Sequence, residues 1–131
     1  MNGVIHHIEL YVSDLERSKV LWQWLLKDLG YQVYQQWSEG ISFRLPPSYI
    51  VFVQAEERFL DVPFHRCRPG LNHLAFHARS REHVDQVTEQ LRASNIPILY
   101  ENQHPYAGGE DHYAVYFEDP ERIKVELVAP S

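Results

Sequence analysis

From His7 to Val12 apolar residues occupy every second position, with Ile8, Leu10 and Val12 set against His7, Glu9 and Tyr11. This alternation predicts a half-buried strand. The segment His73-Leu74-Ala75-Phe76-His77-Ala78, 66 positions on, carries the same alternation. Both strands lead into a helix start. Ser13-Asp14-Leu15-Glu16 has the Ser-x-x-Glu form of a capping box, and Ser80 is placed to cap the segment from Arg81. Leu15, Ser18, Trp22, Leu25, Leu26 and Leu29 then recur at helical spacing, as do Val84, Val87 and Leu91. Gly30 and Asn95, which tolerate a left-handed cap, end the two helices. Leu21 and Trp24 fall beside the first stripe and offer a subunit contact.

Short β-type runs follow each helix, over residues 31–37, 41–45 and 49–54 in the first half and 97–100, 113–117 and 123–128 in the second. Each half therefore reads βαβββ. The class is α+β: two tandem modules with mixed sheets and helices on the outer face, forming a single domain. Module 1 covers residues 1–54 and module 2 residues 71–131. The connector 55–70, AEERFLDVPFHRCRPG, is charged, broken by proline and glycine, and long enough for one short helical turn. A module with one helix on a small sheet buries too little to stand alone, so the two halves are expected to share a core.

Composition narrows the function. At 131 residues with 23% charged side chains the chain is an ordinary globular domain, and its formal charge of -6 argues against a nucleic-acid partner, which requires a concentrated basic face. No apolar window approaches a membrane span. A single cysteine, Cys67, flanked by Arg66 and Arg68, permits no internal disulfide, and the first residues lack the pattern of a signal peptide; a cytoplasmic setting is the expectation. The oddity is eight histidines.

Period-two geometry assigns those histidines to faces. His7, Glu9 and Tyr11 lie opposite the helix side of the first strand, and His73 and His77 do so in the repeat. In the last strand Ile123, Val125 and Leu127 take the helix side, which leaves Lys124, Glu126 and Val128 facing away. His7, His73 and Glu126 thus project from equivalent faces. Two imidazoles and one carboxylate suit a divalent transition metal with open positions for substrate. His77 is too far along its strand to join His73 on one ion.

The stretches HHIELYVSDLERSKVLWQWLLKDLGY, LNHLAFHA and YFEDPERIKVELV together resemble the vicinal oxygen chelate superfamily, over essentially the whole chain. The superfamily includes glyoxalase I, extradiol dioxygenases, fosfomycin-modifying thiol transferases and bleomycin-resistance proteins. The resemblance implies paired βαβββ modules whose strands curl into a cup around a metal. It places the metal histidines at His7 and His73 and the carboxylate at Glu126. Glyoxalase I usually takes a fourth ligand from the last strand of module 1. Here repeat symmetry pairs Glu126 with Phe52 or Gln54, so that ligand is absent or is the Gln54 amide oxygen. The family's DPDG turn reads Asp119-Pro120-Glu121-Arg122, without the glycine.

The resemblance implies a small metal-dependent enzyme, using Zn, Ni, Mn or Fe(II) to bind a small-molecule substrate through adjacent oxygens. Glyoxalase-like lyase or isomerase chemistry leads, with Glu9, Tyr11 and Tyr113 as catalytic candidates. An extradiol-type dioxygenase or thiol transferase is the alternative, and a metal-free drug- or metabolite-sequestering protein of the bleomycin-resistance type is another. His112 and Arg44 are candidates for the rim of the site. A homodimer is expected, with the modules of one cup drawn from one chain or from two.

Overall fold

The computed structural model describes residues 2–131, in which two compact units divide at Pro63 and Phe64. The division falls inside the segment read as connector, which carries one short 3-10 turn at Glu57–Phe59.

The first unit runs β1 (His7–Val12), α1 (Leu15–Asp28), β2 (Gln32–Trp37), β3 (Gly40–Leu45) and β4 (Ser48–Gln54). Its sheet has the order β1-β4-β3-β2, with β1 parallel to β4 and the remaining pairs antiparallel. The α+β class with mixed sheets is confirmed. The buried stripe of α1 comprises Leu15, Ser18, Leu21, Trp22, Leu25 and Leu26, and the Trp22 ring lies 4.9 Å from Phe52 of β4. Leu21, expected beside the stripe, is 2% exposed; its place one turn from Ser18 and Leu25 puts it in the core. The cap also differs from the capping box: Asp14 is the N-cap, its carboxylate accepting from Arg17 N, while the Ser13 hydroxyl accepts from the Arg17 guanidinium. Gly30 takes the left-handed conformation expected of it, with φ 99°.

The second unit contains β5 (Leu74–His77), α2 (Arg81–Ala93), β6 (Ala114–Glu118) and β7 (Lys124–Val128), with sheet order β5-β7-β6. Ser80 caps α2, accepting from His83 N, and Asn95 closes it at φ 59°. Val84, Val87 and Leu91 are buried as expected; His83 is buried beside them, its Nδ1 accepting from Arg79 N. The strand expected at residues 97–100 does not form. Only an isolated bridge joins Ile98 to Phe117. Pro97 has no N–H to give a ladder, and Tyr100 at φ 55° turns the chain out of the extended region. Among the described residues no helix is long and apolar enough to cross a membrane.

Candidate metal centre

Register fixes which side chains share a face. In the first unit His7, Glu9 and Tyr11 pair with Tyr49, Val51 and Val53, and these pair in turn with Arg44, Ser42 and Gly40. All but Gly40, which has no side chain, project from the side opposite α1. In the second unit Ala75 pairs with Glu126, and Glu126 with Tyr116. His73, one residue before β5, therefore projects beside Glu126.

Each strand histidine is anchored at Nδ1 by its preceding residue and presents Nε2 to the open face. The His73 Nδ1 lies 2.7 Å from Asn72 Oδ1, and its Nε2 lies 3.0 Å from Glu126 Oε1. His7 repeats the arrangement, with Nδ1 2.9 Å from His6 Nδ1 and Nε2 3.9 Å from the Glu9 carboxylate. In both cases the free nitrogen faces a carboxylate.

This geometry tests the donor set for a metal. A carbonyl oxygen on Nδ1 takes that nitrogen's proton as its donor, leaving a lone pair at Nε2 of the neutral ring. The buried carboxylate of Glu126, 5% exposed, stands against His73 Nε2, a contact that is satisfied either by a proton on Nε2 or by a cation bound between the two groups. Ligands about 2.1 Å from one ion and at right angles to each other stand about 3.0 Å apart, the separation found here. The pair fits a divalent ion. Among the described residues no three His, Cys, Asp or Glu side chains converge on one metal point.

The second oxygen of Glu126 is engaged by His112 Nε2, and the carboxylate also receives the Tyr116 hydroxyl. The Tyr116 phenol is pushed up to about 12, first by burial and then by the charge of Glu126. The 106–112 loop approaches these groups closely only because residue 108 is glycine: a Cβ there would lie 2.4 Å from His112 Cδ2 and 2.6 Å from the Tyr116 hydroxyl. Sequence reasoning placed His112 at a rim and passed over Tyr116 and Gly108. The period-two rule carries a signal for Tyr116, which shares a face with Glu126 on the neighbouring strand.

Two expected site residues are used elsewhere. Gln54 lies on the helix side, beside Val12. Its Oε1 accepts from Leu15 N at 2.9 Å, and its Nε2 donates to Ser13 O at 2.8 Å and to Ala55 O at 3.3 Å. The amide ties the start of α1 to β4 and lies on the face opposite the proposed metal ligands. The equivalent of Glu126 in the first unit is neither Phe52 nor Gln54 but Val51, since Glu9 pairs with Val51 as Ala75 pairs with Glu126. Tyr113 likewise lies on the α2 side, its hydroxyl donating to Asp85 at 2.5 Å, with the Arg81 guanidinium 4.9 Å from its ring. Its phenol is pushed up to about 12, chiefly by that hydrogen bond.

The remaining candidates keep the expected face. Glu9 is exposed and Tyr11 is 71% exposed. His77 ends β5 opposite Val128. Arg66, beside Cys67, donates from Nε to Glu118 at 2.8 Å and from Nη1 to Cys67 Sγ at 3.7 Å. A cleft of the first unit, about 770 Å³ and lined by residues that include Trp24, Lys27, Tyr31 and Phe43, borders α1 rather than this face. Chemistry and volume point to different places. The donors carry more weight, because an open groove along a helix supplies no convergent polar groups.

Comparison with known proteins agrees with the fold. The chain is 62% identical to the uncharacterized Bacillus subtilis protein YqjT over 127 residues, covering 97% of this chain and 99% of that one. A Bacillus halodurans protein crystallised as a candidate glyoxalase superposes with a TM-score of 0.97 at 57% identity, covering 98% of this chain and 97% of that one. The fosfomycin resistance protein FosX of Listeria monocytogenes, solved with Mn(II) and sulfate, shares the fold with a TM-score of 0.70 at 22% identity, over 100% of this chain and 93% of that one. Residues 4–127 match the profile of one family, and the chain belongs to the glyoxalase/bleomycin resistance protein/dioxygenase superfamily.

Proposed function

We propose that the protein is a metal-dependent enzyme that holds one divalent ion through His7, His73 and Glu126 and acts on a small substrate bound through adjacent oxygens. The observation that carries this reading is His73 Nε2 set 3.0 Å from the buried Glu126 Oε1, with Nδ1 2.7 Å from Asn72 Oδ1. His7 joins by the repeat: it has the same strand position and an open-face Nε2, with its Nδ1 2.9 Å from the ring nitrogen of His6. A bound ion would polarise the substrate oxygens and make a neighbouring C–H more acidic. Lyase or isomerase chemistry is the leading assignment, because Glu9 offers an exposed carboxylate beside His7 to take and return that proton. Tyr11, two residues along the same face, would orient the substrate by its hydroxyl.

Metal analysis of untagged protein tests the reading. About one equivalent of Zn, Ni, Mn or Fe(II) per chain is expected, lost in His7→Ala and His73→Ala. Less than about 0.1 equivalent, with no uptake on reconstitution, would refute it. Turnover of a hemithioacetal separates the lyase from an extradiol-type dioxygenase, which would consume oxygen on addition of a catechol, and from a thiol transferase, which would consume thiol. A metal-free sequestering protein is the second reading, favoured by the stacked rings of His7 and Tyr49 on the open face. Tight ligand binding unaffected by a chelator would establish it.

A homodimer is assigned as the working assembly. It is supported by the edge strand β2, whose six residues are all exposed and include Val33 and Trp37. A monomeric mass by light scattering at micromolar concentration would rule it out.

A further inference from the structure

One rung of the first sheet runs His7, Tyr49, Arg44, Gln32 across its four strands, with every side chain on the open face. The rings along it are in sequence. His7 stacks on Tyr49 at 4.7 Å with planes 3° apart, the Tyr34 ring lies 5.4 Å from Tyr49, and the Arg44 guanidinium carbon lies 5.2 Å from the Tyr34 ring centre. Tyr34, two residues beyond Gln32, is the extra residue of a β2 irregularity between Val33 and Gln35, and its ring completes the aromatic line.

Arg44 ends the line as a cation without an anion. It is exposed, and none of the described carboxylates forms an ion pair with it, in a chain whose formal charge is -6. Stacking on an aromatic face leaves the in-plane N–H fork of a guanidinium free, and that fork matches a carboxylate in two parallel hydrogen bonds. The Cα atoms of His7 and Arg44 are two strand spacings apart, about 10 Å. From His7 outward the surface therefore offers a donor nitrogen, a flat aromatic shelf and a guanidinium.

We propose that this row reads the tail of the substrate: a carboxylate held by Arg44, joined through a flat or apolar spacer lying on Tyr49 and Tyr34 to the adjacent oxygens that bind beside His7. This rests on the metal reading above and narrows its substrate to an elongated monocarboxylate. Gln32, opposite Arg44 on β2, would add an amide to the same anion.

The test uses untagged full-length protein loaded with Mn(II) and two catechols of similar shape, 3-(3,4-dihydroxyphenyl)propionate and neutral 4-propylcatechol, titrated calorimetrically. Wild type should bind the carboxylate probe about tenfold more tightly, the difference one charge-assisted pair supplies. Arg44→Met should abolish that preference while leaving the Kd of 4-propylcatechol and of Mn(II) unchanged, and Arg44→Lys should retain part of it. Equal binding of the two probes by Mn-loaded wild type, or equal weakening of both in Arg44→Met, would overturn the proposal and leave the metal reading standing. Failure of wild type to take up Mn(II), Zn, Ni or Fe(II) would overturn both.

Discussion

His73 Nε2 and Glu126 Oε1 face each other at 3.0 Å, and the histidine is tied by Nδ1 to Asn72. The Glu126 side chain is 6% exposed, so its charge needs a partner, which a proton on His73 or a bound cation supplies. Glu126→Gln keeps the shape and removes the anionic donor, so metal affinity should fall by about 100-fold or more while thermal stability without metal is kept or raised. Competition titration against a chromophoric chelator, beside melting curves in EDTA, reads the two effects separately. Unchanged affinity would remove Glu126 from the donor set.

His112 holds the other oxygen of the same carboxylate, so at the proposed metal site it would act on a bound ion through Glu126 rather than directly. His112→Ala should weaken binding about 10- to 100-fold without changing stoichiometry. Gly108→Ala should move affinity the same way by less, since its Cβ would push the His112 ring aside. The double variant should be no worse than His112→Ala alone, as expected of two changes acting on one contact. In Co(II)-substituted protein the visible spectrum should keep the same number of nitrogen ligands in all three.

What the chain made legible was periodicity. Alternation at His7–Val12 and at residues 73–78, and helical spacing in α1 and α2, located the elements and the open faces, because those patterns record burial directly. Side-chain amides and hydroxyls escaped, since their partners are set by tertiary approach. Gln54 reads as a strand-end polar residue, yet it satisfies the first backbone N–H of α1 from 39 positions away. Tyr113 falls on the helix-side parity of β6, opposite to that of Tyr116, and its hydroxyl partner Asp85 comes from α2, 28 positions away. The contact of His112 with Glu126 depends on a glycine-permitted loop, for which no periodic signal exists.

The turn after β6 supplies another test. Arg122 occupies the glycine position of the family's DPDG turn and takes φ 74° itself, while Asp119 Oδ1 accepts from Glu121 N at 2.9 Å and Ile123 N at 2.7 Å. Left-handed backbone costs a residue with a Cβ about 1–2 kcal/mol, partly offset by the greater unfolded-state freedom of glycine. Arg122→Gly should stabilise the protein by about 0.5 kcal/mol, the loss of its exposed contact with Glu118 at 3.6 Å counting for little. A urea midpoint that falls would show that the arginine contact outweighs the backbone term.

Tyr113 and Asp85 define a pH dependence away from the proposed metal site. The hydrogen bond from the phenol to Asp85, followed by burial, raises the Tyr113 pKa to about 12, and burial together with Glu126 raises Tyr116 to about 12. Both phenols hold their protons in the folded state after the unfolded chain has lost them near pH 10, so the folded state binds more protons between these values. Stability is therefore unaffected by these groups below about pH 10 and declines as pH rises from 10 towards 12. Of the eight tyrosines, two should ionise last in a phenolate absorbance titration. Tyr113→Phe should remove one of them and flatten the alkaline loss of Tm. Asp85→Asn, which replaces the carboxylate by a neutral amide, should bring Tyr113 back towards 10 without moving Tyr116. A titration in which Asp85→Asn leaves the late-ionising pair unchanged would refute this assignment of the hydrogen bond.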